Sequence, residues 1–261
     1  MGNPTTLARI IETVAGASVF IIVMVTLGLT VLRLALQPIQ EPVTKWLSEL
    51  FDSIIWAAVV VFLVLRPFAI QTFNIPSESM VNTLLIGDYV LVNKGLYRTR
   101  DPKVDEIVVF RGPPSSLSEG QTPEKTYLIK RCIGTPGMIV EIRKQPDGTP
   151  VLYRNGKPVN EPFARKAPAD SITCFKIVNG EPVRWEDGRV FVGQNRYIDG
   201  AEADKLIKAS PGPIPPGMYL MMGDNRPSSY DSRFWGLLDR ERVMGRSEFI
   251  WWPPSRIGLT R

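Results

Sequence analysis

Histidine is missing from this chain of 261 residues. Its absence removes the side chain that most often accepts a proton near neutral pH. A Ser-His-Asp triad and a Cys-His pair are both excluded. Cysteine is scarce, with only Cys132 and Cys174 present. They are too far apart in sequence to form a close ligand pair, so no metal is expected. One disulfide or two buried thiols both remain open, because a sequence does not place their Cα atoms. No internal repeat and no phosphate-cradling glycine loop is present. No basic cluster is interleaved with aromatics, which argues against a nucleic-acid partner. No serine has a lysine three residues later, so the Ser-x-x-Lys arrangement is excluded too.

What is present begins with apolar runs. Residues 13–32 are 20 positions without a charge, long enough to cross a bilayer as a helix. A second stretch, residues 53–65, is uncharged but shorter. Extended to 50–70 it reaches spanning length by including Asp52 and Arg66 near its ends, where long side chains can reach the interface. Between them, residues 33–49 form a short connection with Pro38 and Pro42. The chain carries a formal net charge of +5. Arg9, Arg33 and Lys45 balance Glu12, Glu41 and Glu49, and Asp52 balances Arg66, so the excess lies after residue 70. A mildly basic domain is compatible with anionic lipid.

After residue 70 the pattern changes to short β-prone runs separated by Pro and Gly. Strands are expected over residues 84–92, 106–110, 127–133, 139–142, 151–153, 217–222 and 243–252. Asn155-Gly156 and Asn179-Gly180 read as two-residue hairpin turns. Many short strands with frequent turns argue for an all-β barrel or sandwich.

The chemistry concentrates around Ile75-Pro76-Ser77-Glu78-Ser79-Met80. Proline fixes its own φ and pushes the preceding residue toward an extended conformation, so a stiff, extended or turn-like segment presents two serines. A serine is a nucleophile only when a base takes its proton. Without histidine, the base is a lysine of lowered pKa or a carboxylate. Lys130 in Tyr127-Leu128-Ile129-Lys130-Arg131-Cys132 is the best candidate. Side chains alternate along a strand, so Leu128, Lys130 and Cys132 share a face. An amine on an apolar face loses hydration. A fall from roughly 10.4 to about 7 corresponds to roughly 4–5 kcal/mol.

These segments, with Thr83-Leu84-Leu85-Ile86-Gly87-Asp88 and Gly223-Asp224-Asn225-Arg226-Pro227-Ser228-Ser229-Tyr230-Asp231-Ser232-Arg233, resemble bacterial type I signal peptidase in content, order and spacing. The resemblance implies a mainly β fold. A two-helix membrane anchor (residues 1–70) would precede a catalytic domain of SH3-like barrel type (71–261), with a small β subdomain inserted at about 145–215. It implies a membrane-bound serine endopeptidase that removes signal peptides from exported preproteins after small residues at −3 and −1. The enzyme would sit in the cytoplasmic membrane with its catalytic domain outside, its partners being preproteins and the bilayer, with no cofactor.

By the same resemblance Ser79 is the nucleophile and Lys130 the general base. The Ser79 backbone N–H and the Ser77 hydroxyl hold the oxyanion. Ser229 orients the lysine amine, and Asp231 pairs with Arg233. Phe73, Ile75, Met80, Leu84, Leu128 and Ile129 line the substrate pockets. Arg131, on the face opposite Lys130, reads as structural. Glu78, Asn82 and Met138 stand where the family usually has glycine, proline and an acidic residue. Two other readings share these residues: a self-cleaving repressor-type Ser/Lys protease, and an inactive tethered β-domain that binds exported chains. The apolar N-terminus argues against the first, and the intact Ser79 and Lys130 against the second.

Overall fold

The computed structural model describes residues 19–36, 42–60, 70–117, 119–123, 125–165, 174–186 and 188–260. The chain forms two compact units, Met1–Thr72 and Phe73–Arg261.

The first unit contains helix α1 (Val19–Leu36) and helix α2 (Pro42–Val59). Proline at the first helical position of α2 has no N–H to leave unsatisfied. Arg33 Nε of α1 meets Asp52 Oδ1 of α2 at 2.7 Å. The spans expected at 13–32 and 50–70 lie partly outside the described residues. Among the described residues no helix is long and apolar enough to cross a membrane. At 1.5 Å per residue, the 18 residues of α1 reach about 27 Å, just short of the ~30 Å hydrocarbon layer.

The second unit is mainly β. In chain order its strands are β1 (Ile70–Asn74, beginning just before the unit boundary), β2 (Tyr89–Asn93), β3 (Ile107–Arg111), β4 (Tyr127–Gly134), β5 (Val140–Lys144), β6 (Pro150–Arg154), β7 (Lys157–Pro158), β8 (Cys174–Val178), β9 (Glu181–Glu186), β10 (Arg189–Val192), β11 (Arg196–Ile198), β12 (Met218–Met222), β13 (Leu238–Asp239), β14 (Val243–Trp252) and β15 (Gly258–Leu259). Three short helices complete it: α3 (Leu96–Thr99), α4 (Gly200–Lys208) and α5 (Ser232–Trp235).

The strands form two sheets. The first has 8 strands in the order β1-β2-β14-β3-β4-β12-β13, with β15 paired to β14. The second has 7, in the order β11-β10-β9-β8-β5-β6-β7. The end strands β1 and β13 of the first sheet are not paired with each other, so that sheet is open. The run expected as a strand over 84–92 is paired only from Tyr89. Its first part is a turn, because Asp88 Oδ2 accepts from Leu85 N and the Gly87 N–H donates to Ile75 O.

β3 shows why the first sheet needs an apolar run. Ile107 and Val109 enter a cluster with Ile75, Met80 and Ile129. Val108 and Phe110 enter another, with Cys132, Met221 and Trp235. Both faces are covered, so the alternation disappears into continuous hydrophobicity. Each such fully buried side chain contributes about 1.5–3 kcal/mol. A third cluster joins Ile133, Leu220 and Met222 of the first sheet to Val140, Phe175 and Ile177 of the second, so the two sheets share a core. In the second sheet Asn155-Gly156 and Asn179-Gly180 connect neighbouring strands. Their φ values of 50, 76, 52 and 82° are the doubly positive pair of a type I′ turn. Residues 145–149 form the β5–β6 hairpin loop, closed by Gln145 N donating to Thr149 O at 2.8 Å, and the second sheet already begins at Val140.

Candidate active site

The serine segment folds as β1 followed by a single 3₁₀ turn over Glu78–Met80. Ser77 is extended, with φ −130 and ψ 159. Ser79 and Met80 are buried, while Glu78 points into solvent. Asn82, two residues after this turn, has φ 99. Proline cannot adopt that angle, so the asparagine belongs to a locally different backbone from the one a proline would build.

β4 carries Lys130 opposite Val108 of β3. Lys130 is 5% exposed, and its amine lies 2.5 Å from Ser79 Oγ, 51 residues away in sequence. Burial brings its pKa down to about 8; Asp231 and Asp224 resist the fall, while Arg233 adds to it. Ser77 Oγ is 3.3 Å from Ser79 Oγ. The arrangement therefore places a desolvated amine against one hydroxyl and a second hydroxyl beside it. A neutral amine can take the Ser79 proton at mildly alkaline pH, and the Ser77 hydroxyl is within reach of charge that develops nearby.

The 223–233 segment holds this pair from behind. Asn225 N donates to Ser79 O at 3.0 Å, and Asn225 Nδ2 donates to Glu78 O at 3.0 Å. Gly223 has no room for a side chain: a Cβ there would lie 2.4 Å from Ser79 O and 2.2 Å from Ser229 Oγ. Asp231 accepts from Gly223 N at 3.0 Å and from Arg233 Nε at 2.8 Å, and it caps α5. Burial raises the Asp231 carboxyl, but the Arg233 guanidinium outweighs it and keeps the group below the usual carboxylate range. Ser229 Oγ is buried and has no hydrogen-bond partner of ordinary geometry, so no such bond joins it to Lys130. The Lys130 amine is turned to Ser79 instead. Ser229 lies near enough to Asp231 to help keep that carboxylate charged.

Arg131 points the other way. Its guanidinium is bidentate on Asp224, at 2.9 and 2.6 Å, and lies 3.9 Å over the Phe163 ring. Thr83 Oγ1 donates to the same carboxylate at 2.5 Å. Asp224, Thr83 and Asn225 therefore fix the serine turn to β4. A single strand or loop gives no sign of this, since the partners lie 93, 141 and 147 residues apart. The only sequence signal was the polar character of the Gly223-Asp224-Asn225 run.

Of the expected pocket residues, Ile75, Met80, Leu84 and Ile129 share one buried cluster and Phe73 packs against it. Phe73 also makes an edge-on contact with Tyr127 at 5.3 Å. Leu128 packs against the other cluster, with Phe110 and Trp235. Cys132 and Cys174 are buried free thiols, and burial pushes Cys132 up to about 12. Among the described residues no group of three His, Cys, Asp or Glu stands together to hold a metal.

A buried amine against a serine hydroxyl, on a mainly β scaffold, is an arrangement suited to hydrolysis. Residues 46–252 match the model of the family described as signal peptidase, peptidase S26, and the chain belongs to that family of serine peptidases. It is 32% identical over 220 residues to probable signal peptidase I-2 of Synechocystis, covering 84% of this chain and 79% of that one. Over 240 residues it is 31% identical to signal peptidase I of Pseudomonas aeruginosa, with 84% and 76% covered. It is also 32% identical over 210 residues to thylakoidal processing peptidase 1 of Arabidopsis thaliana, covering 78% of this chain and 48% of that one.

Proposed function

We propose that the protein cleaves signal peptides from exported preproteins after small residues at −3 and −1, with Ser79 as nucleophile and Lys130 as general base. The observation that carries this reading is the 2.5 Å contact between Ser79 Oγ and a buried Lys130 amine whose pKa is brought down to about 8. In the reaction, Ser79 Oγ attacks the scissile carbonyl as Lys130 Nζ takes its proton. The oxyanion is held by the Ser79 N–H and the Ser77 hydroxyl. The intermediate collapses to an ester on Ser79 as Lys130 gives the proton to the leaving amine. Lys130 then takes a proton from water, hydroxide attacks the ester, and Ser79 is released with its proton restored. Ile75, Met80, Leu84 and Ile129 form the small apolar recesses for the substrate side chains, with Phe73 and Leu128 at their margins. Asp231, Arg233 and Ser229 set the charge around the lysine.

The protein works at the bacterial cytoplasmic membrane, anchored by segments within residues 1–70, with the catalytic unit on the outer side. This is supported by the uncharged run at 13–32 and by the exposed apolar side chains Met24, Val25, Leu27, Val31 and Leu34 of α1. Alkaline extraction of membranes tests it: full chain retained in the pellet is the expected result, and full chain released with the soluble fraction overturns the anchor.

The catalytic reading is tested with detergent-solubilised protein and a preprotein carrying an Ala-x-Ala site. Wild type should cut after the second alanine. Ser79→Ala and Lys130→Ala should each lower the rate by at least about 10³-fold. Activity that survives in Lys130→Ala would show that another group is the base. Binding without cutting by folded wild type would favour an inactive tethered domain.

A further inference from the structure

A cleft of about 360 Å³ opens away from the residues assigned to catalysis, between α3 and the turn that leads into β14. Five basic side chains line it: Lys94 from the end of β2, Arg98 on α3, Arg111 at the end of β3, and Arg240 and Arg242 in the 3₁₀ turn before β14. One carboxylate, Glu241, faces them. Three separate parts of the chain therefore bring positive charge to one concavity, against Coulomb repulsion.

The framework fixes several of these cations. Arg240 donates to Asp101 Oδ1 at 2.6 Å and to the Tyr97 carbonyl at 2.5 Å, which pins it against α3. Arg242 Nη1 donates to Gly112 O at 3.3 Å, and the pairing of Val243 with Phe110 holds the turn beside Arg111. Tyr97, in the lining, is buried in the core, so the site does not present a free aromatic face on which a base could stack. Guanidinium forks match the tetrahedral oxygens of phosphate, which can accept several of them at once. Against the five basic side chains stand Glu241 in the lining and Asp101 on Arg240. The volume is that of a small-ligand site rather than of a lone ion.

We infer that this cleft is a binding site for a phosphate-bearing ligand with at least two negative charges, a phosphate monoester or a diphosphate. It is separate from the peptidase site, since none of its lining residues takes part in the Ser79–Lys130 arrangement. The ligand's phosphate comes from a lipid headgroup or from a soluble molecule.

The test is titration calorimetry on the detergent-solubilised full chain. The probes are inorganic pyrophosphate, dioctanoyl phosphatidic acid, and dioctanoyl phosphatidylcholine as a zwitterionic control. Saturable one-to-one binding of at least one of the two anionic probes, with none of the control, is expected. Binding should weaken roughly tenfold or more in Arg98→Glu/Arg111→Glu, since these exposed side chains would give up charge-assisted hydrogen bonds. Peptide cleavage should persist in that variant, which shows that it is folded. Phosphatidic acid binding without pyrophosphate binding identifies the headgroup as the source, and the reverse identifies a soluble phosphate. No saturable binding of either anion, equal binding of the control, or unchanged affinity in the folded double variant would overturn the site.

Discussion

The two sheets of the second unit are built on different terms. The first sheet is braced by buried polar groups with distant partners, Asp224 on Arg131 and Thr83 and Asn225 on the backbone of Glu78 and Ser79, while Asp231 holds the nearby Arg233 and Gly223. The second sheet is held chiefly by neighbours in sequence. Its turns are tight hairpins, and its buried Arg184 is paired with Glu186 and sits directly across from Phe191. Local turns give that sheet its register, while the first sheet depends on contacts between chain segments 50 to 150 residues apart. The contrast teaches that the proposed catalytic pair, Ser79 and Lys130, is positioned by the least local part of the structure. A lesion there should cost both stability and activity, whereas one in the second sheet should cost stability alone.

The largest expected effect tests the first half of that statement. Arg131→Met leaves the buried Asp224 carboxyl without its guanidinium partner, which costs about 3–5 kcal/mol. Denaturant unfolding should show the loss, and peptide cleavage should fall with it in the folded fraction. Unchanged activity in the folded fraction would separate the network from the catalytic pair.

The next effect is on pH. With Lys130 at about 8, cleavage should rise about tenfold per pH unit below that value and level off above it. The stability consequence has a matching sign. The folded value is depressed from 10.5, so the penalty for burying the charged amine is complete below about 8. It fades as pH rises toward 10.5, and the contribution of this group therefore improves with pH across that window. An ascending limb near the ordinary lysine value would show that the amine is not desolvated during turnover.

Arg184→Ala comes third. The guanidinium lies 4.3 Å over Phe191 and 4.4 Å over Phe234 of α5, so it joins the second sheet to the helix that Asp231 caps. Loss of about 2 kcal/mol is expected in unfolding, with the pH limb of cleavage left in place. A shifted limb would mean that the second sheet tunes Lys130 after all. The smallest effect is Gly156→Ala. Nothing lies within 4 Å of the added methyl, but φ is +76, so about 1 kcal/mol of backbone strain is expected with no change in cleavage.

The same division governs what could be read in the residues alone. The Asn-Gly turns announced the hairpins of the second sheet because the whole signal sits in two adjacent residues. The strand over residues 243–252 was legible in full, since its length and composition leave little else for it to be. Ser79 and Lys130 stood out because the chain has no histidine to compete for the role. The start of β2 was not legible, because Leu84 and Leu85 look β-forming while the turn depends on Asp88 reaching back to Leu85 N. Nor was the point at which the chain passes from one sheet to the other. Sequence periodicity does not say which sheet a strand joins. The partners of Asp224 are a tertiary fact, and one polar run gives no hint of them.

The position of β14 has a consequence for the order of events during synthesis. This strand lies between β2 and β3, although it is translated long after both. A ribosome that has already released Ser79 and Lys130 has made both members of the proposed pair but not the strand that lies between β2 and β3 in their sheet. Non-local pairing of this kind comes late because the intervening chain must first be closed into a loop. Chains arrested before Val243 are therefore expected to cut nothing, and chains carried past Trp252 to become active. The topology works as a timer that withholds a protease from the crowded exit of the machine that makes it.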